Sequence, residues 1–300
     1  MDGIIAVWKP EGWTSHDVVA KVRRLLRMKK IGHSGTLDPM VTGVLPLCLG
    51  RATRMVEYLQ ERPKAYEAVI QLGVATDTED LTGTVIEERP DVTVTEAEVL
   101  RVLRGFVGEI EQIPPMFSAV KIDGKRLYEL AREGKTVERK ARKAHIHQIE
   151  LLSSDLDRDK PTFTFSVVCS KGTYIRTLCV DIGKELGVPA AMAKLTRTMS
   201  GGITEPQCLT LEQIEELQKA GELEARILPP EMAISHLVKL QVAKPAGEKA
   251  LLGQKLPYRL LPETPEDGKL IRLYGEDDTF IGIFEPSGSE SLLKPVKVFS

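Results

Sequence analysis

Three hundred residues, 42% hydrophobic and 28% charged with a net charge of −2, describe an ordinary globular chain with room for one large domain and a small one. This composition excludes a disordered, fibrous or collagen-like chain. The apolar opening, Ile4 to Trp8, is too short to cross a bilayer and has no basic segment ahead of it, so the chain reads as cytoplasmic, with no membrane contact.

Ile4 to Lys9 predicts a strand and Pro10-Glu11-Gly12 a turn. Thr14 or Ser15 then caps a helix whose apolar side is Val18, Val19, Val22, Leu25 and Leu26. From Lys30 to Pro46 the chain packs three glycines, two prolines, one histidine and a single carboxylate, Asp38. That stretch predicts a stiff loop leading into a buried strand, Val44 to Leu49. Arg51 to Gln60 predicts a helix, and Lys64 to Val74 alternates as a half-buried strand does, with Tyr66, Ala68, Ile70 and Leu72 in one phase. A polar loop, Asp77 to Gly83, leads to a strand at Thr84 to Glu87, and Thr95 with Glu98 makes a capping box.

Ser118 to Ile122 and Lys125 to Leu127 predict a hairpin turning at Asp123-Gly124. Leu127 to Arg132 reads as a helix, His145 to Leu152 and Thr162 to Cys169 as strands. Tyr174 to Leu186 predicts a helix stopped at Gly187, and Ala193 to Thr198 a further strand. Thr210 and Gln213 open another helix, and Pro229-Pro230 marks a boundary. Hairpins mixed with crossovers point to an α+β or mixed α/β architecture. Beyond Leu237 short strands at Gly253 to Tyr258, Lys269 to Tyr274, Thr279 to Glu285 and Ser291 to Val298 predict a separate small β-barrel.

The four cysteines, Cys48, Cys169, Cys179 and Cys208, form no C-x-x-C pair and read as reduced core thiols. The histidines, His16, His33, His145, His147 and His236, lack the i, i+4 spacing of helical ligands, so no metal is expected. Charge is unevenly spread. Lys21, Arg23, Arg24, Arg27, Lys29 and Lys30 form one basic run, and Arg132, Lys135, Arg139, Lys140, Arg142 and Lys143 a second. Either run can be a solvated helix face or part of a surface for a polyanion.

Five blocks carry a resemblance: KPEGWTSHDVV from Lys9, GHSGTLDP from Gly32, GVLP from Gly43, GRATR from Gly50 and SKGTYIRT from Ser170. In this order and spacing they resemble the bacterial tRNA pseudouridine-55 synthase family, the TruB type, over roughly the first two hundred residues. The last sixty or so resemble, in texture, the PUA module often joined to these enzymes. The resemblance implies an α+β pseudouridine synthase fold, a mixed and largely antiparallel sheet flanked by helices. Residues 1–230 would form the catalytic domain and residues 237–300 a PUA-like RNA-binding β-barrel. It implies isomerisation of uridine 55 in the T loop of tRNA, by a monomer, with no cofactor. The absence of a phosphate-binding loop or dinucleotide fingerprint agrees with such chemistry.

On pattern alone Asp38 is a turn residue before a proline and Tyr66 a strand tyrosine. The resemblance makes Asp38 the catalytic carboxylate, attacking ribose or base or acting as a base. It makes Arg176 its bidentate partner, since a guanidinium orients a carboxylate and favours its charged form. Tyr66 would stack on the flipped base, with Tyr174 and Leu195 beside it and His33 against the RNA nearby. Lys9 would support the catalytic loop, and Asp77 would lie behind the site. The two basic runs become phosphate tracks, namely Arg23, Arg24, Arg27, Lys29 and Lys30, then Arg139, Lys140, Arg142 and Lys143. The rival reading is a tRNA-folding chaperone or RNA-binding scaffold without turnover. A carboxylate glycosidase would need a second carboxylate, which the matched blocks do not supply.

Overall fold

The computed structural model describes residues 1–122 and 124–299. The chain runs β1 Gly3–Lys9, α1 Ser15–Leu26, β2 Ile31–His33, β3 Thr42–Leu49, a 3-10 turn, α2 Val56–Glu61 and β4 Lys64–Leu72. Then come β5 Val74–Thr76, β6 Val85–Glu88, α3 Glu96–Gly105, β7 Gly108–Gln112, β8 Lys121–Ile122, β9 Lys125–Arg126 and α4 Leu127–Arg132. The turn expected at Asp123-Gly124 includes Asp123, which lies outside the described residues. β10 Arg142–Asp155, β11 Thr162–Cys169, α5 Ile175–Glu185, β12 Ala190–Ser200, β13 Ile203–Thr204 and α6 Leu211–Ala220 complete the larger part.

One sheet organises it, in the order β1-β3-β12-β4-β11-β10-β7, with β2 on β3 and β13 on β12. Every contact is antiparallel except that of β3 with β12, where Thr42 lies beside Thr196 and Gly43 beside Arg197. Helices α1 and α6 cover β1 and β3 through Val18, Val22 and Ile214 on Ile5, Leu45 and Leu47. Helices α3 and α5 cover β4, β11 and β12 through Val99, Leu103, Leu178 and Ile182 on Ala68, Ile70 and Phe165. The sheet is thus α+β, largely antiparallel and flanked by helices.

The local signals explain the helix starts. Thr14 with Asp17, Thr95 with Glu98 and Thr210 with Gln213 each form a capping box. Gly187 follows α5 at φ +75°. Some elements differ from the sequence reading. Arg51 to Gln60 is not one helix, because a 3-10 turn over Gly50–Met55 precedes α2. β7 went unread because its GEIEQ sequence forms an exposed edge strand carrying two glutamates.

Residues beyond Leu237 form a second, curled sheet: β14 Val238–Gln241, β15 Leu256–Pro257, β16 Ile271–Tyr274, β17 Phe280–Ser287 and β18 Leu292–Val298. They also contain a helix absent from the sequence reading, α7 Lys244–Leu251, whose buried face is only Ala246, Gly247 and Ala250. Small residues leave little hydrophobic period to detect. This sheet does not stand apart from the larger one. Ile283, Phe280 and Phe299 pack in one apolar cluster with Ile4, Val44, Cys48 and Leu59. No helix among the described residues is long and apolar enough to cross a membrane.

Gly43 sits at the parallel junction with φ +114°, and a Cβ there would lie 2.2 Å from the Arg197 carbonyl oxygen. Gly43→Ala is therefore expected to cost about 2–5 kcal/mol through backbone strain and overpacking, read as a lowered urea midpoint. An unchanged midpoint would contradict the close approach of β3 and β12.

Candidate active site

The loop between β2 and β3 carries Asp38 and is fastened from the opposite side by the β1–α1 turn. Ser15 Oγ accepts from the Leu37 amide at 2.8 Å and donates to the Leu37 carbonyl at 3.2 Å. Lys9 Nζ donates to the carbonyls of Pro39 at 3.0 Å and Pro10 at 2.8 Å, and the Gly12 amide donates to Pro39 at 2.9 Å. Leu37 and Val41 anchor the loop in the apolar core beneath. The main chain around Asp38 is held while its side chain stays half exposed.

Arg176, in the first turn of α5, reaches Asp38 across this gap. Its Nη2 lies 3.0 Å from Asp38 Oδ2. The contact is not the bidentate fork expected from the sequence. The remaining donors hold main chain, with Nη2 on Phe117 O at 2.8 Å and Nη1 on Thr78 O at 3.0 Å. A second carboxylate approaches from the other side, Asp80 Oδ2 at 3.9 Å from Nη1. Sequence reasoning placed Asp77 behind the site, but Asp77 instead accepts from the Thr84 amide at 2.8 Å and closes its own loop. Asp80 is turned inward by Thr78 and Thr82, which both donate to its Oδ1. Spacing alone could not choose between two aspartates three residues apart.

The next residue of α5, Thr177, donates to Glu79 Oε2 at 2.6 Å. Burial pushes the Glu79 carboxyl up. Arg176 and Thr177 therefore clamp the 77–83 loop against α5, and that loop in turn fixes the Arg176 guanidinium.

Between these groups opens a cavity of about 410 Å³. Asp38, Thr36 and Lys171 stand at its exposed rim, while Tyr66, Leu195, Lys64, Arg197 and Ser34 are buried in its wall and floor. Tyr174 joins the wall. Its main chain is held on both sides by Gln112, which accepts from the Tyr174 amide at 2.9 Å and donates to its carbonyl at 3.1 Å. Tyr66 of β4 lies directly across from Arg197 of β12. Burial pushes the Tyr66 phenol up, and the neighbouring Arg197 guanidinium acts in the opposite direction. A larger cavity, about 710 Å³, lies beyond Thr177 and Glu79 but contains neither Asp38 nor Tyr66.

His33 does not line the smaller cavity. It is half buried on β2, with Nδ1 buried and without a partner, and burial pushes the imidazole down. Its neighbour Ser34 lines the cavity instead. Two residues that sequence reasoning missed, Lys64 and Arg197, are buried there, Arg197 with only 1% of its surface exposed. Arg197 Nε donates to Val44 O at 2.8 Å and Nη2 to Gly35 O at 3.2 Å. Lys64 Nζ donates to Gln60 O at 2.9 Å and Arg62 O at 3.2 Å. A signal existed. Lys64 shares the inward phase of Tyr66 and Ala68, and Arg197 that of Leu195, so both are charged residues at core positions.

The proposed phosphate tracks divide. Arg24, Arg27, Lys29 and Lys30 are exposed, as are Lys140 and Arg142. Arg23 is tied to Ile31 O at 2.9 Å, and Lys143 pairs with Glu109 at 2.8 Å. Arg139 turns inward, donating to Pro114 O at 3.0 Å, and its Nε is buried without a partner.

Burial pulls the Lys64 ammonium down from 10.5 to about 8. Between those values the folded protein gives up this proton while the unfolded chain keeps it, so the Lys64 contribution to stability rises with pH. Wild type should therefore gain stability relative to Lys64→Met as pH rises from about 7 to about 10, measured by urea midpoints. A constant difference would contradict a buried charged lysine.

Comparison with known proteins follows the same outline. Residues 23–175 match the model of the TruB family pseudouridylate synthase N-terminal domain, and residues 176–235 that of the tRNA pseudouridylate synthase B C-terminal domain. The chain is 47% identical to the tRNA pseudouridine synthase B of Bacillus licheniformis, covering 99% of this chain and 97% of that one. The corresponding protein of Geobacillus thermodenitrificans is 46% identical with both chains fully covered. Among solved structures, a chain of an H/ACA RNP bound to a substrate RNA containing 2′-deoxyuridine superposes with TM-score 0.76 at 28% identity, covering 99% of this chain and 85% of that one. A chain of a Cbf5-Nop10-Gar1 complex gives 0.75 at 29%, covering 99% and 84%. The chain belongs to the TruB family of pseudouridylate synthases.

Proposed function

We propose that this protein isomerises uridine 55 in the T loop of tRNA to pseudouridine, with Asp38 as the reactive carboxylate. The observation that carries the reading is a half-exposed carboxylate, held by Arg176, at the rim of a cavity whose wall offers the buried Tyr66 ring and Leu195. The names of the relatives supply the tRNA. The enzyme works in the cytoplasm as a monomer. Residues 1–230 carry the reaction and residues 237–300 add contacts to the RNA.

In this reading the uridine leaves its stack and enters the cavity, its base against Tyr66 and Leu195 and its ribose toward Asp38. Asp38 acts on the nucleotide by direct attack or as a base, and the N1–C1′ bond breaks with its electron pair passing to the base. The base turns, C5 bonds to C1′, and the proton on C5 is lost while N1 gains one. Redox state is unchanged throughout. Arg176 orients the carboxylate, and its own position depends on Thr78, Phe117 and Asp80.

Incubating unmodified tRNA tritiated at uridine C5 tests the assignment. Wild type should release tritium and Asp38→Asn should release about 10³-fold less or none, while its tRNA affinity stays within a few-fold. Release by both proteins, or by neither, would overturn it. The exposed basic residues give a separate expectation. Lys29→Ala and Lys30→Ala should each lower the salt slope of tRNA binding by about one unit, whereas Arg139→Ala should leave it unchanged. A slope altered only by the Arg139 change would reverse the assignment of phosphate contacts.

A further inference from the structure

The floor of the small cavity holds more positive charge than the Asp38 and Arg176 pair uses. Lys64 and Arg197 come from neighbouring strands and converge beneath one point of the catalytic loop. A Cβ built on Gly35 would meet Arg197 Nη1 at 3.5 Å and Lys64 Cε at 3.6 Å. Both side chains are at least nine-tenths buried, and their hydrogen bonds run to the carbonyls of Val44, Gly35, Gln60 and Arg62. Among the described residues neither belongs to an ion pair. Burying a cation without a counter-ion is unfavourable, and carbonyl dipoles offset only part of the cost. Beside them Ser34 is fully buried, and its Oγ has no hydrogen-bond partner.

We propose that Arg197, Lys64 and Ser34 form an anion cradle that stabilises the uracil ring once it has left the ribose, making them further catalytic residues. The inference rests on the isomerase reading above. When N1–C1′ breaks, the bonding pair stays with the base, and the detached ring carries one negative charge spread over N1, O2 and O4. That charge forms near Asp38 and Asp80, which outnumber Arg176 by one. Two buried cations reverse this imbalance before the substrate arrives. Buried and held by main-chain carbonyls, they act on the developing charge without reorganising. The Ser34 hydroxyl can donate to a ring oxygen.

The depth of the cradle favours the base over a phosphate as its occupant. A phosphodiester is tied on both sides to the rest of the strand and stays near the rim. The flipped base reaches the floor, where Tyr66 lies directly across from Arg197.

The test compares T-arm RNAs carrying uridine or 5-fluorouridine at the target position under single-turnover conditions, reading loss of the starting nucleoside after nuclease digestion. Fluorine at C5 stabilises the detached anion and lowers the demand on the cradle. Arg197→Met should slow the uridine substrate about 10²–10³-fold and the fluorinated one about tenfold or less, with RNA affinity nearly unchanged. Arg197→Lys should recover part of the loss. Ser34→Ala removes a group with no partner in the free protein, so it should fold normally and still slow uridine about tenfold. It keeps the test decisive if Arg197→Met does not fold. Equal losses on both substrates in the folded variants, or losses confined to RNA affinity as a phosphate site would give, overturn the cradle alone. A wild-type protein that converts neither RNA overturns the isomerase reading and the cradle with it.

Discussion

Strands β3 and β12 lie side by side at a single parallel step, and Gly43 is the residue that lets them meet. On one side of the step the chain comes directly from the Asp38 loop. On the other it presents Leu195 and Arg197 to the cavity. A side chain at Gly43 would strike the Arg197 main chain, so the approach that joins the two parts of the sheet also sets the distance between Asp38 and the floor of the cavity. Arg176 spans the remaining gap from α5, which packs on β12 from the opposite direction.

Around this junction polar groups are held by main-chain carbonyls more than by opposite charges. Lys9, Lys64 and Arg197 are all buried, and all donate to carbonyl oxygens. Carbonyl dipoles fix the direction of an ammonium or guanidinium without neutralising it. The Asp38 loop is thereby held at Pro39 and Gly35 by cationic donors that the carbonyl oxygens do not neutralise. An apolar floor would be more stable, and the unfavourable burial is concentrated where an anion would form.

Much of this was readable in the chain. The alternation of Lys64 to Val74 identified a half-buried strand, and the Thr95-x-x-Glu98 and Thr210-x-x-Gln213 pairs located two helix starts, because capping and period-two burial are local in sequence. The five motif blocks gave the family and contained Asp38, Tyr174 and Arg176, and the resemblance they carry added Tyr66 and Leu195. The same local reasoning could not see which of Asp77 and Asp80 turns toward Arg176. It could not see that Arg139 faces inward, since its partner is a carbonyl 25 residues away. It also passed over α7, whose buried face is made of alanine and glycine.

The sequence by itself determined the α+β character, the helix caps, the stiff loop around a lone carboxylate and, through its motifs, the family. These depend on neighbours within a few residues or on blocks of fixed order. Only the tertiary structure decided that Asp38 and Arg176, 138 positions apart in the chain, form a 3.0 Å contact. It also decided that Lys64 and Arg197 stand under the same cavity and that the second sheet shares an apolar cluster with the first. The reason is physical. A charged residue is solvated by default, and only the packing of distant strands around it removes the water and turns its charge toward a substrate.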